Sequence, residues 1–430
     1  MLKRKAPGVN DRRFEIELSA HPGDVRRQVS QLKKISEFLA LRRNPSLLLV
    51  ALVLAGTGEK LWLGFAPKYI ETLGGTVLII GLFDALQTLL GAVYAYPGGW
   101  LTDRWGQRRS LLLFSAISIA GYVLVWVWPS WQALLLGSFL FLAWSALSLP
   151  ATLSVIATSL QSNRHTMGVG VQSMIRRVPM MLGPLGGGWL LTRYGWTDGV
   201  RAALALCIVM SLLTAAFQWF MFEPEAKPAT PGERSDAAAD ISFFGVVKTF
   251  TPALRELLVS DILIRFCERI PYAFIILWAM DSGHVTAQQF GYLVTFEMVT
   301  AMLCYIPVAH LADKYGRRPF VLITFVFFTL FPLALLVAHD FKWLALAFVV
   351  RGLKEFGEPA RKALIIGEAV PALRARTYGA YYLIRDCVVT TGSFLGAWLW
   401  SVSPAANFIG ASLCGALGTL WFWWFIARKK

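Results

Sequence analysis

From Ser46 onward, apolar runs of roughly twenty residues alternate with short polar segments along nearly the whole chain. A helix of about 20 residues spans the hydrocarbon of a bilayer, so the pattern predicts twelve crossings. Their approximate limits are Ser46–Tyr69, Val77–Pro97, Ser110–Trp128, Trp131–Ile156, Met167–Leu191, Ala202–Phe222, Leu257–Met280, Phe290–Ala309, Phe320–Ala338, Trp343–Ile366, Tyr378–Trp400 and Asn407–Ile426. Between the sixth and seventh, residues 223–256 turn polar and rich in Pro and Ala, as a linker does. Ahead of the first, Val25, Val29, Leu32, Ile35 and Leu39 recur at helical spacing among basic residues. That segment, 1–45, is either an amphipathic helix on the membrane surface or a solvated helix on the adjoining loops.

The polar segment after the second run reads Gly99-Trp-Leu-Thr-Asp103-Arg104-Trp-Gly106-Gln-Arg108-Arg109. A second copy lies 210 residues later, with Asp313, Lys314, Gly316, Arg317 and Arg318 in register, Ala309 at the leading glycine and Pro319 at the last basic position. The same offset relates Gly81 and Pro97 to Gly291 and Pro307, and an offset of 209 relates Arg176, Gly183, Gly187 and Trp189 to Arg385, Gly392, Gly396 and Trp398. The chain is therefore read as two related sets of six helices, 46–222 and 257–430.

The twin Gly-x-x-x-Asp-Arg/Lys-x-Gly-x-Arg-Arg loops resemble the signature of the major facilitator superfamily. That resemblance implies an all-α polytopic fold of twelve helices in two pseudo-symmetric halves, a central site at mid-membrane, and signature loops that serve switching between states. In the fifth run, Gly170, Gly183, Pro184, Gly187 and Gly188 resemble the family's antiporter motif, although Pro179 stands where that motif has glycine. Small-residue stripes also serve plain helix packing. The fourth run carries Leu142, Ala143, Trp144 and Ser145 where many proton-coupled drug antiporters have an arginine.

Composition agrees with a membrane protein: 56% of the 430 residues are hydrophobic and the formal charge is +15. The excess of Lys and Arg lies in the termini and the signature loops, which places both termini in the cytoplasm of a plasma (inner) membrane and argues against nucleic-acid binding. All five cysteines fall in apolar runs without ligand spacing, so they read as core residues and no metal site is expected. No phosphate-binding Gly-x-x-x-x-Gly-Lys-Ser/Thr loop occurs. Neither a cofactor nor an enzymatic activity is expected.

Charges inside apolar runs mark the aqueous path, because a charge facing lipid is expensive. The third, sixth, ninth and twelfth runs have none in their bodies, which reads as lipid-facing supports; the fourth is uncharged as well, so charge placement leaves it undecided, and the resemblance puts it at the cavity. Candidate pathway residues are Glu59 and Lys60, Asp84, Arg176 and Arg177, Arg265, Glu268 and Arg269, Glu297, Arg351, Glu355 and Glu358, Arg385 and Asp386. Neighbours on a helix point about 100° apart, so Glu59 and Lys60 are expected to seek partners elsewhere. Arg351 with Glu355, and Lys354 with Glu358, are spaced to pair along one helix. Arg361 and Lys362 read as interfacial, and Arg265 and Arg269 as holding Glu268. Arg176 and Arg385 either bind an anionic substrate group or pair with Asp386, Glu59 or Glu268. The expected function is a small-molecule transporter working by alternating access as a monomer, with a proton-coupled efflux antiporter first. A proton-coupled symporter or exchanger for a polar or anionic metabolite is the alternative, and a non-transporting sensor a different class.

Overall fold

The computed structural model describes residues 43–159, 176–221, 243–370 and 373–427. The expectations for 1–42, for Gly170 and for most of the linker lie outside that range, and so do the side chains of Gly99, Asp103 and Asp313. The described residues are helical throughout: α1 (Arg43–Leu63), α2 (Ala66–Thr72), α3 (Val77–Trp105), α4 (Gln107–Val127), α5 (Trp131–Ser159), α6 (Arg177–Met221), α7 (Phe243–Lys248), α8 (Pro252–Tyr272), α9 (Ile275–Asp281), α10 (Ala287–Tyr315), α11 (Arg317–Val337), α12 (Phe341–Leu353), α13 (Glu358–Gly367), α14 (Arg374–Val402) and α15 (Pro404–Phe422), which ends in a π turn at Trp423–Ala427.

Three predicted runs are each broken into two helices. The first breaks before Phe65 and the seventh before Phe274, and the two breaks share one geometry, with φ/ψ of −99°/−5° and −94°/−9°. In each, the phenylalanine N–H reaches back three residues, to the Trp62 carbonyl at 2.9 Å and the Pro271 carbonyl at 2.8 Å. The tenth run breaks at Lys354–Gly357, and Pro359 sits in the first turn of α13, where its missing N–H does no harm. Conversely, α6 takes in both the fifth and sixth runs, whose two arms reverse at Gly195 with φ of 79°. At the signature turns, Gly106 and Gly316 adopt φ/ψ of 82°/162° and 91°/154°, a region open only to glycine.

The third, sixth, ninth and twelfth runs turn a continuous apolar face outward, represented by Val127, Leu212, Val337 and Leu413 at 53–67% exposure. In a soluble protein such a face would be a liability; here it is the lipid contact. By length and composition alone, five described helices can cross a membrane, the arms of α6 counting as one. The three broken runs fall short of that mark.

Glycines set the closest approaches. A Cβ on Gly187 would run into the Leu61 carbonyl, and one on its repeat partner Gly396 into the Ile270 carbonyl. The same equivalence appears with roles exchanged where Gly58 meets Cys207 and Cys267 meets Gly415. Replacing Gly187 by valine is expected to lower stability by about 1–3 kcal/mol, since backbone is what the new atoms meet; thermal unfolding of the detergent-purified protein measures it. Cysteine placement matches expectation at Cys207 and Cys267, which are buried, but Cys387 is exposed.

The two helix sets join at one end. There Lys68 pairs with Asp281 at 2.5 Å, the Gln288 N–H donates to Thr192 Oγ1 at 3.1 Å, and Phe65 packs edge-on to Phe290 at 5.8 Å. Gly188 lies on the Ala287 backbone, Gly291 on Pro184 and Gly81 on Ser393. Since α3 and α10 both start at this end and are 29 residues long, about 43 Å, their Gly106 and Gly316 turns lie together at the other. That other end is called the loop face below.

Candidate functional site

A cavity of about 660 Å³ lies between the sets and runs from Pro67 and Ile276 near the sealed end to Arg177, Glu358 and Lys362 toward the loop face. Its wall is built by the broken helices: Lys60 and Gly64 from the α1–α2 break, Tyr272 and Ile276 from α8–α9, and Lys354 and Glu355 from the α12–α13 break. Cations exceed anions on this wall, seven to five, with Lys60, Arg176, Arg177, Arg265, Arg351, Lys354 and Lys362 against Asp84, Glu268, Glu297, Glu355 and Glu358.

In the first set, Glu59 is 3% exposed and points away from the main cavity into a side chamber of about 80 Å³ shared with Trp144, Ser145 and Arg176. Its carboxylate accepts from Lys60 Nζ at 2.8 Å and from the Ser145 hydroxyl. The expectation that these neighbours avoid each other is corrected here. The lysine arm is long enough to fold back, and among the described residues no acid from another helix reaches it. Ser145 also makes α5 a wall of the chamber. Arg176 lines both spaces and makes no hydrogen bond or ion pair among the described residues, with Glu59 its nearest electrostatic partner.

The second set is held by a continuous charge network. Glu297 forms an ion pair with Arg351 at 3.1 Å and lies 3.9 Å from Lys354; Lys354 reaches Glu268 at 2.5 Å; Glu268 reaches Arg265 at 2.6 Å; and Arg265 reaches Glu358 at 3.4 Å. The local pairs expected within the tenth run do not form, because the break at Lys354–Gly357 turns these side chains toward α8 and α10. Glu355 instead crosses the cavity to Arg177 at 3.0 Å. Arg269 does not hold Glu268: it bridges the sets, 2.8 Å from Asp84, whose other oxygen accepts from Ser393 Oγ at 2.7 Å.

The residue missing from the expected set is Asp261, 0% exposed in α8. It accepts from the Arg361 guanidinium, from Arg385 Nη1 at 3.4 Å and from the Tyr381 hydroxyl at 3.2 Å. Arg361, expected at the interface, is 1% exposed and also holds Glu358 at 2.7 Å. The signal was present: Asp261, Arg265, Glu268 and Arg269 stand at i, i+4, i+7 and i+8, one polar stripe of one helix. Arg385, engaged by Asp261 and by Asp386 at 2.7 Å, is not available to a ligand as Arg176 is. Gly183, Pro184, Gly187 and Gly188 pack α6 onto α1 and α10. At the loop face Arg108 donates to the Trp219 carbonyl at 2.7 Å, and Arg104 and Lys314 lie over Trp100 and Tyr315.

Three comparisons bear on this arrangement. The family model described as Major Facilitator Superfamily matches residues 48–268 and 257–430. Proteins named multidrug resistance protein MdtG are similar to the chain: that of Proteus mirabilis (strain HI4320) is 25% identical over 83% of this chain and 87% of its own, and that of Serratia proteamaculans (strain 568) 26% identical over 90% and 95%. Among solved structures, a point mutant of the nucleoside transporter NupG superposes with a TM-score of 0.75 at 13% identity, covering 90% of this chain and all of its own. A bacterial homolog of the human lysosomal transporter Spinster, described as inward-facing and unoccupied, gives 0.67 at 16% identity, covering 88% and 94%.

Proposed function

This chain belongs to the major facilitator superfamily, and we propose that it exports a small molecule in exchange for protons, with the loop face in the cytoplasm and Glu59 as the acid that couples the two fluxes. It is an all-α, multi-pass membrane transporter of a small molecule. The observation that carries the export reading is a polar cavity sealed at one end and reaching toward the loop face, in a chain whose similar proteins are named for multidrug resistance. Residues 46–222 and 257–430 act as the two moving bodies, 223–256 as their tether and 1–45 as a segment at the membrane surface. One chain encloses the whole cavity, which supports a monomer.

Linkage fixes the sign of coupling at Glu59. A substrate that presents a cation or a hydrogen-bond donor to this carboxylate lowers its proton affinity and is exchanged for a proton. A substrate that draws Lys60 away with an anionic group raises the affinity and travels with the proton. Export by exchange therefore expects proton release on substrate binding. Arg176, which makes no hydrogen bond or ion pair among the described residues, and the cationic excess of the wall favour a second reading, in which the substrate carries an anionic group and binding takes up a proton.

The test begins with a thermal-shift screen for ligands, since binding to the folded state raises apparent stability. Bound-proton change is then followed with a pH dye, and transport in vesicles under an imposed pH gradient. Transport indifferent to that gradient would overturn proton coupling. Sidedness is tested separately by cysteines introduced at Trp105 and its repeat partner Tyr315, both exposed beside the signature turns whereas Ala312 is buried; they are expected to label together from the cytoplasm, and labelling from opposite faces would sink the assigned topology.

A further inference from the structure

The first helix set holds a second polar feature, apart from the cavity. Along α4, Ser110, Ser115, Ser118 and Tyr122 fall on one stripe, and along the second arm of α6, Cys207, Ser211, Thr214 and Gln218 fall on another. The stripes face each other: Ser115 Oγ lies 3.2 Å from Gln218 Oε1, and the Cys207 thiol sits against the Tyr122 and Ser211 hydroxyls. From α5 the Trp144 backbone N–H donates to Ser118 Oγ at 2.9 Å. All eight residues are at most 6% exposed, and a void of about 10 Å³ opens among Ser115, Ser118, Tyr122, Trp144, Ser211 and Thr214.

The internal repeat supplies the comparison. Ser110, Ser115 and Ser118 correspond, 210 residues later, to Phe320, Phe325 and Phe328; the exchanged Gly58–Cys207 and Cys267–Gly415 contacts align Thr214 and Gln218 with Phe422 and Ile426. These five counterparts are buried in one apolar cluster, with Phe325 edge-on to Phe422 at 5.1 Å. Ser211 keeps a hydroxyl counterpart, Thr419, which meets Thr329 Oγ1 at 3.2 Å, but at the other five positions joining the two helices requires no polar group. Replacing phenylalanine with hydroxyls inside a bilayer forfeits apolar burial and leaves polar atoms to be satisfied. Ser110 Oγ, Gln218 Nε2 and Trp144 Nε1 are indeed buried with no hydrogen-bond partner among the described residues. A void of this size with several polar neighbours suits a water molecule.

We propose that this file is a hydrated proton path between the loop face and Glu59, separate from the substrate cavity; it rests on Glu59 being the coupling acid. Ser110 and Gln218, both buried, stand at its loop-face end, close in sequence to the Arg108–Trp219 contact. At the inner end Trp144 is common to the void and to the Glu59–Ser145 chamber, and Glu59 lies within electrostatic reach of Cys207 and Tyr122. The groups facing Glu59 are Lys60 on its own helix, Ser145 on α5, Arg176 at the head of α6, Tyr122 on α4 and Cys207 on the second arm of α6. The alternative route, through the side chamber, passes Lys60 and Arg176, whose charges disfavour a hydronium in a low dielectric. Each hydroxyl or water accepts one proton and passes on its own, so the sum is one proton moved between bulk water and the Glu59 carboxyl, with no other bond changed. The proton then leaves without crossing a substrate in the cavity.

The test is a pH jump on the purified full chain, followed by time-resolved infrared absorption of the protonated Glu59 carboxyl, with Glu59→Gln identifying the band. The Ser115→Ala/Gln218→Leu variant is expected to slow protonation about tenfold or more at unchanged amplitude, the effect of lost relay hydrogen bonds on a barrier. An unchanged rate overturns the path while leaving Glu59 coupling intact. A wild-type spectrum that Glu59→Gln does not alter overturns the coupling reading itself, and the path with it. Should the variant not fold, radiolytic hydroxyl labelling of the wild-type protein decides: Tyr122 and Trp144 become oxidised by adjacent water while Phe325 and Phe328 stay unmodified. Equal protection of all four overturns the hydrated file.

Discussion

Replacing Asp261 with alanine is expected to destabilise the protein by about 3–5 kcal/mol, the largest effect of any single side chain in the charge network. Asp261 is fully buried and accepts from Arg361, Arg385 and Tyr381 at once, so its loss leaves two guanidinium groups inside the bundle with their main counter-charge gone. Removing one partner of a buried pair costs far more than the pair itself is worth, because the stranded charge has already given up its water. The contrast is Glu71, whose side chain is 42% exposed and pairs with Lys68 at 2.6 Å. Glu71→Ala is expected to change stability by less than about 1 kcal/mol, since water and salt screen an exposed pair. Fluorescence-detected size exclusion after a heat ramp reads both. A thermal midpoint of Asp261→Ala equal to that of the wild type would mean that Glu358 and Asp386 alone neutralise the two arginines.

The second large effect is on transport. Glu59→Gln is expected to reduce gradient-driven transport to the level of empty vesicles while ligand binding persists, because glutamine keeps an oxygen to accept from Lys60 and an amide to donate to the Ser145 hydroxyl but cannot carry the proton. Glu268→Gln, by comparison, is expected to act on stability, for Glu268 is clamped between Arg265 and Lys354 and joins α8 to the α12–α13 break. Vesicle transport against a proton gradient, measured beside thermal unfolding, separates the two roles. Full transport by Glu59→Gln would move the coupling role to Asp84 or Glu297, both paired with arginines in this state.

By itself the sequence determined the scaffold. Run length against bilayer thickness placed the helices, the absence of charge in five of the runs narrowed the lipid-facing supports to those five, with the fourth left undecided, and a 210-residue repeat paired Gly106 with Gly316, where only glycine fits the turn. These are one-dimensional quantities: each depends on what a segment must bury or expose, whatever its neighbours are. Charge partners are not. Arg177 and Glu355 are 178 residues apart and Asp84 and Arg269 are 185, and which of them meet depends on how each helix is rotated and where it breaks. The local rule predicted Arg351 with Glu355 on one helix turn, but the break at Lys354–Gly357 sent Arg351 to Glu297 and Glu355 to Arg177. Asp261 was legible as part of the polar stripe of α8, but its partners were not, since Arg361 and Arg385 are 100 and 124 residues away and reach it only as α13 and α14 pack. The membrane fixed the helices, and the packing of broken helices around a polar space fixed the chemistry, because a buried charge takes whichever opposite charge the tertiary fold brings within reach.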